Sequence, residues 1–186
     1  MKKEIRVVGI DDAPFKKSQN GEVLIVGTIF RGGLFLDGVL STKVKIDGDD
    51  ATEKIAEMIL KCKFKPQLQC ILLNGIAVAG FNIIDIKYLN RKTKLPVIVV
   101  IRKSPNIKLI KETLIKINMQ EKIILIEKAG SIARIGKIFI QLAGLNMETA
   151  KEILKITCTR SLIPEPIRIS HLIASGIING ESRGKA

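Results

Sequence analysis

The residues best placed to do chemistry begin with Asp11 and Asp12, two adjacent carboxylates that follow an apolar run in the segment VVGIDDAPF, residues 7–15. Side chains alternate along a strand, so at a strand tip one carboxylate can face the end of the sheet while its neighbour points elsewhere. Carboxylates in that position suit Mg²⁺ or Mn²⁺, hard cations that take oxygen ligands, retain waters and bridge to substrate phosphates. The same pair also reads as an Asx turn or a helix cap. A second polar interruption is Asn74-Gly75 within CILLNGIAVAGF, residues 70–81. Were this strand to lie beside the first, the Asn74 amide would ligate the metal or hydrogen-bond the Asp11 carboxylate; Asn-Gly also marks turns and bulges. The sole histidine, His171, sits in RISHLIAS with Arg168 one helical turn before it and Ser175 one turn after. One reading makes His171 a proton shuttle and Arg168 a phosphate clamp. The other is a histidine hydrogen-bonded at the edge of the core.

Charge narrows the partner. The chain carries a formal +13 with a pI near 9.8, an excess that favours polyanions through phosphate contacts and counterion release, so nucleic acid is the expected partner class. A lysine-rich solvated surface of the kind enriched in proteins from hot environments is the alternative. Lys16, Lys17, Arg31, Arg102, Lys103 and Arg168 are the candidate backbone contacts, alongside further basic clusters at 61–65, 91–94 and near Arg183. With no tryptophan and one tyrosine, Tyr88, stacking platforms are scarce and phosphate contact should dominate over base reading. The cysteines, Cys62, Cys70 and Cys158, are odd in number and show no C-x-x-C spacing, which points away from a disulfide framework or zinc site. No apolar run approaches the ~18–20 residues of a membrane span, so a soluble cytoplasmic protein is expected.

A length of 186 residues with 46% hydrophobic and 26% charged residues favours one folded domain over disorder, taken as 1–186. Strands are expected over 5–10, 22–30 and 34–46, the last two joined at RGG. Asp47-Gly-Asp-Asp supplies turn and N-cap chemistry before a helix over 51–62. Further on, 70–81 reads as a central strand entering a turn, IIDIKYL as a short helix, and 96–101, 108–117 and 122–128 as strand, helix and strand in a βαβ unit. The remainder reads as a strand over 137–144 and helices over 147–157 and 164–178. Three antiparallel strands followed by parallel ones make an α/β mixed sheet with helices on both faces, and ligands gather at the carboxyl ends of such strands.

The strings VVGIDDAPF, RGGLFLDGVLST, DGDDAT, ILLNGIAVAGFNIID, LPVIVVIRKSP and IPEPIRISHLIASGIINGESRGKA, in that order, resemble the archaeal domain of unknown function 99 family (UPF0215 type), itself similar to endonuclease V. The resemblance covers nearly the whole chain and implies an RNase H-like fold and metal-dependent nuclease activity on DNA or RNA, using Mg or Mn. The alternative is a noncatalytic nucleic-acid-binding protein with a degenerate metal site. In endonuclease V an aspartate ends the first strand, a glutamate follows the early hairpin, and an aspartate-glycine pair ends the fourth strand. Asp11 matches the first, Glu53 and Glu57 are candidates for the second by order only, and Asn74 stands where the third aspartate is expected. A carboxamide there removes one negative charge and weakens activation of a metal-bound water. The hairpin comparable to the endonuclease V wedge reads RGGLFLDG, where Asp37 is a turn residue in preference to a ligand. The implied centre is Asp11, Asn74 and His171, with metal ligands drawn from Asp11, Asp12 and Asn74.

Overall fold

The computed structural model describes residues 4–16 and 21–182. In chain order the elements are β1 (Arg6–Asp12), β2 (Glu22–Arg31), β3 (Phe35–Lys45), α1 (Ala51–Leu60), β4 (Cys70–Asn74), β5 (Ala77–Val78), β6 (Asn82–Ile83), α2 (Ile86–Thr93), β7 (Val97–Ile101), α3 (Ile107–Lys116), α4 (Ile123–Lys128), β8 (Ala133–Ile135), β9 (Ile138–Ala143), α5 (Met147–Thr157) and α6 (Glu165–Asn179). Seven of the strands make one mixed sheet in the order β3-β2-β1-β4-β7-β9-β8, and β5 pairs with β6 in a separate ribbon. The opening three strands are antiparallel neighbours, while β4 lies parallel to both β1 and β7. Parallel pairing brings the C-terminal ends of β1, β4 and β7 to one rim.

The expected βαβ unit over 96–128 does not form. Residues 123–128 form the helix α4, not a strand, and β9 returns antiparallel to β7 with Ile101 opposite Phe139, so there is no βαβ unit here. A short apolar run does not by itself distinguish strand from buried helix. Tertiary packing settles it, because Ile126 joins Leu114 and Ile83 in a small cluster beneath α3.

Alternation along β1 sorts the two layers. Val8 and Ile10 pack with Ile55 of α1 and Leu89 of α2, while Val7 packs on the other face with Ile153 of α5 and Ile167 of α6. Each such fully buried aliphatic contributes roughly 1.5–3 kcal/mol. On the second face α6 lies directly on β1, where a Cβ at Gly9 would stand 2.3 Å from the Pro166 carbonyl carbon. The crossing is fixed by Thr28 Oγ1 donating to Pro166 O at 2.6 Å and Ser170 Oγ donating to Gly9 O at 2.7 Å, both buried. Only glycine at position 9 lets the helix come this close, and that closeness carries His171 to the tip of β1.

At the other end of β1, Arg6 pairs in register with Arg31 of β2. Asp37 is not a turn residue: it lies in β3, at an irregularity in the β2–β3 register, and accepts from Arg6 Nε and Nη2 at 2.9 and 2.7 Å and from Arg31 Nε at 3.1 Å. Burial alone would raise its pKa, but the two guanidinium hydrogen bonds outweigh it and hold the carboxyl below the usual range. Among the described residues no helix is long and apolar enough to cross a membrane.

Candidate functional site

Asp11, Asn74 and His171 converge. The parallel register that sets Ile10 opposite Leu73 leaves Asp11 and Asn74 side by side at adjoining strand ends. Asp11 is buried, at 2% exposure. Its Oδ1 accepts from Asn74 Nδ2 at 3.0 Å and from the Asp12 backbone N–H at 3.0 Å, and its Oδ2 lies 2.9 Å from His171 Nδ1. A carboxylate facing Nδ1 favours the tautomer that carries its proton there, with Nε2 as the basic nitrogen. The three groups thus form a hydrogen-bonded cluster of carboxylate, amide and imidazole, contributed by β1, β4 and α6.

Asp12 does not join it. As the next residue on a strand it leaves on the opposite face, where its Oδ2 accepts the Ala79 N–H at 2.8 Å from the turn between β5 and β6. Burial, opposed by the Ala79 hydrogen bond and aided by the Asp11 charge, pushes its pKa up from 3.8 to about 6. The expectation that Asp12 shares a metal with Asp11 is therefore corrected by strand alternation. Glu53 and Glu57 do not approach either: both project from α1 to ion-pair with Lys92 and Lys61.

The basic candidates divide by rim. Arg102 and Lys103 follow the C-terminal end of β7, whose Val100 is in register with Asn74, so they share the Asp11 rim. With Lys137, Ser161 and Leu162 they line an open cleft of about 570 Å³. Lys16 follows β1 and is exposed; Lys17 and Arg183 lie outside the described residues. Arg31 belongs to the opposite rim, held by Asp37, because antiparallel pairing sets the end of β2 against the start of β1. Arg168 is engaged by Glu165, with Nε and Nη2 donating to Oε2 at 2.9 and 2.6 Å. Within the clusters at 61–65 and 91–94, Lys61 and Lys92 are ion-paired and Arg91 lies over the Tyr88 ring. Lys137 and Arg160 stand in no motif; the cue to Glu165 is its place between Pro164 and Pro166 in the string IPEPIRIS.

A hard cation fits this site only in a minimal form. Among the described residues no group of three His, Cys, Asp or Glu side chains could hold a metal. Mg²⁺, however, commonly needs only one or two carboxylates, completed by waters and substrate phosphates. Asp11 supplies the carboxylate and Asn74 an amide oxygen, so the donor chemistry suits Mg²⁺ or Mn²⁺ better than a softer ion.

Comparison with known proteins identifies the family and the fold. Residues 3–178 match the family model described as endonuclease dU. A UPF0215 protein of Methanothermobacter thermautotrophicus is 49% identical over 191 residues, covering all of this chain and 94% of that protein. A crystal structure from Archaeoglobus fulgidus superposes with a TM-score of 0.86 at 40% identity, over 92% of this chain and 97% of the other. Ciona intestinalis endonuclease V, solved with a 24-mer DNA containing an inosine followed by a ribo-adenosine, gives a TM-score of 0.60 at 19% identity, over 95% of this chain and 87% of that one. The fold is that of endonuclease V.

Proposed function

Because the chain belongs to the endonuclease dU family, we propose that it is a metal-dependent nuclease that cuts a nucleic-acid strand at or near deoxyuridine, with Asp11, Asn74 and His171 as its working centre. The observation that carries the reading is the convergence of those three side chains at the ends of two adjacent parallel strands. Asp11 and the Asn74 amide oxygen would hold Mg²⁺ or Mn²⁺, which when bound supplies charge stabilisation at a phosphoryl oxygen and an acidified water. The chain's own groups do the rest. Asn74 Nδ2 fixes one Asp11 oxygen and His171 Nδ1 engages the other, holding the carboxylate in a single orientation. His171 Nε2 is the nitrogen that takes or returns a proton. Arg102 and Lys103, on the same rim, hold the strand through its phosphates as point charges and donors, and Lys16 adds to the positive surround.

The second reading, a nucleic-acid-binding protein without cleavage, draws on Asn74 and on the distance of Glu53 and Glu57, which together leave the site two carboxylates short of the endonuclease V pattern. The test is to incubate DNA containing deoxyuridine or deoxyinosine, and single-stranded RNA, with Mg²⁺ or Mn²⁺. Cleavage of the deoxyuridine strand that Asp11→Ala abolishes is the expected result. Salt-sensitive binding of the same strands with no product under either metal would replace the enzyme with the binding module.

A further inference from the structure

We infer that the cleft between the β2–β3 turn and the first turn of α6 is a nucleobase subsite that reads an imide edge, carbonyl, N–H, carbonyl, of the kind uracil presents. The inference rests on the nuclease reading and names how that nuclease would choose its base. The cleft has a volume of about 250 Å³, with Phe30, Leu34 and Leu36 among its apolar lining and Arg160, Glu165 and Arg168 as its charged groups. That is smaller than the ~300–1,000 Å³ of sites for drug-sized ligands, and suits a single planar ring lying against aliphatic and aromatic carbon.

Glu165 is the reason to look for a ligand. Its side chain is 5% exposed, and Arg168 binds only one of its oxygens; Oε1 is buried with no partner among the described residues. A buried carboxylate oxygen left without a donor costs free energy, and native structures seldom leave one so. A carboxylate oxygen accepts hydrogen bonds, so the missing partner is a donor. The terminal torsion of a glutamate is broad, so a small turn of the carboxylate presents Oε1 to an entering N–H.

The other charged groups of the cleft supply the rest of the edge. Arg168 and Arg160 set guanidinium donors in the same cleft as the carboxylate. An acceptor between donors is the complement of a donor between acceptors, the O2, N3–H, O4 edge of uracil. Cytosine and adenine turn a lone pair toward Oε1 instead, which leaves that oxygen facing an acceptor and rejects them. Glu165 stands six residues before His171 on α6, a rise of about 9 Å. The α6 end of the cleft is therefore within one strand's reach of a phosphate at Asp11, about three stacked nucleotides away or fewer if the strand is extended.

The experiment is equilibrium binding, by fluorescence anisotropy in EDTA, of short single-stranded DNAs carrying one central uracil, cytosine or N3-methyluracil. The methylated base keeps both carbonyls and loses the N–H. The full-length protein should prefer uracil to each of the others by roughly tenfold or more. Glu165→Gln should bring the three affinities together while leaving that for the cytosine strand unchanged. Arg160→Ala, at an exposed position, should weaken the uracil preference without affecting folding, which guards against a misfolded Glu165 variant. Equal wild-type affinity for uracil and N3-methyluracil, or a preference that survives both substitutions, overturns the subsite while the nuclease reading stands. No binding to any strand overturns both.

Discussion

Asp11 and Asp12 are neighbours in the chain, yet their surroundings differ in kind. Asp11 faces α6, where its partners are side chains from two other elements, an amide and an imidazole. Asp12 faces the opposite layer, where its partner is the backbone of the β5–β6 turn. That turn is fastened from every side. Asp47 Oδ1 accepts the Phe81 N–H at 2.7 Å, Asn82 Oδ1 accepts the Ala51 N–H at 3.0 Å, and the buried Lys122 ammonium donates to the carbonyls of Asp47, Gly48 and Phe81 at 2.6, 2.8 and 2.9 Å. One acid thus belongs to a cluster of side chains at the rim, and the other to a scaffold that holds a loop. A carboxylate surrounded by movable side-chain groups can exchange protons and ligands; one tied to backbone mainly fixes position.

The sharpest way to break this contrast is kinetic. Asp11→Ala should lower cleavage of a deoxyuridine strand by about a thousandfold, roughly 4 kcal/mol of transition-state stabilisation. Asp12→Ala should stay within about tenfold of wild type. Equal losses in the two variants would mean that both carboxylates serve the reaction.

The scaffold side is tested by stability. Lys122→Met leaves three carbonyls without their donor and should cost about 3 kcal/mol in urea unfolding. A loss below about 1 kcal/mol would show that water replaces the ammonium at no great cost.

The pH dependence separates the two acids next. Asp12 has its pKa raised from 3.8 to about 6, so the folded state favours its protonated form. That contribution is fully present below pH 3.8 and is lost as pH rises through about 6. Asp12→Asn keeps an oxygen to accept from Ala79 and has no proton to lose. It should therefore be more stable than wild type by about 3 kcal/mol at pH 8, with the gain vanishing toward pH 4, as read from urea midpoints across that range. A constant difference would place the raised pKa elsewhere. The smallest effect belongs to an exposed pair outside both regions, Glu57 and Lys61 on α1. Glu57→Ala should change stability by no more than about 0.5 kcal/mol.

Much of the sheet was legible because its signals are local. The strands at 5–10, 22–30 and 34–46, the helix at 51–62 and the closing helices follow from apolar period and turn chemistry, and the antiparallel opening follows from their order. The exceptions are places where distant contacts decide. Residues 122–128 became helix because Leu114 and Ile83 bury Ile126. The expected cap at Asp50 is another: it sits at the N-cap of α1, yet its carboxylate makes no cap hydrogen bond and instead accepts from Lys45 N and Asn82 Nδ2, while Asn82 serves Ala51. Asp37 is a third, drawn into β3 by Arg6 and Arg31, residues close to it only once β1 and β2 are paired.

The sequence by itself determined which residues could do chemistry, the family they belong to, and that an acid would end the first strand, since residue type and short-range period are written in order along the chain. Only the tertiary structure decided which of the two acids meets Asn74 and His171, and that Arg31 lies on the far rim while Arg102 and Lys103 share the near one. The physical reason is that strand pairing and the close crossing of α6 over Gly9 join residues 63 and 160 positions apart. No local propensity encodes a contact of that separation.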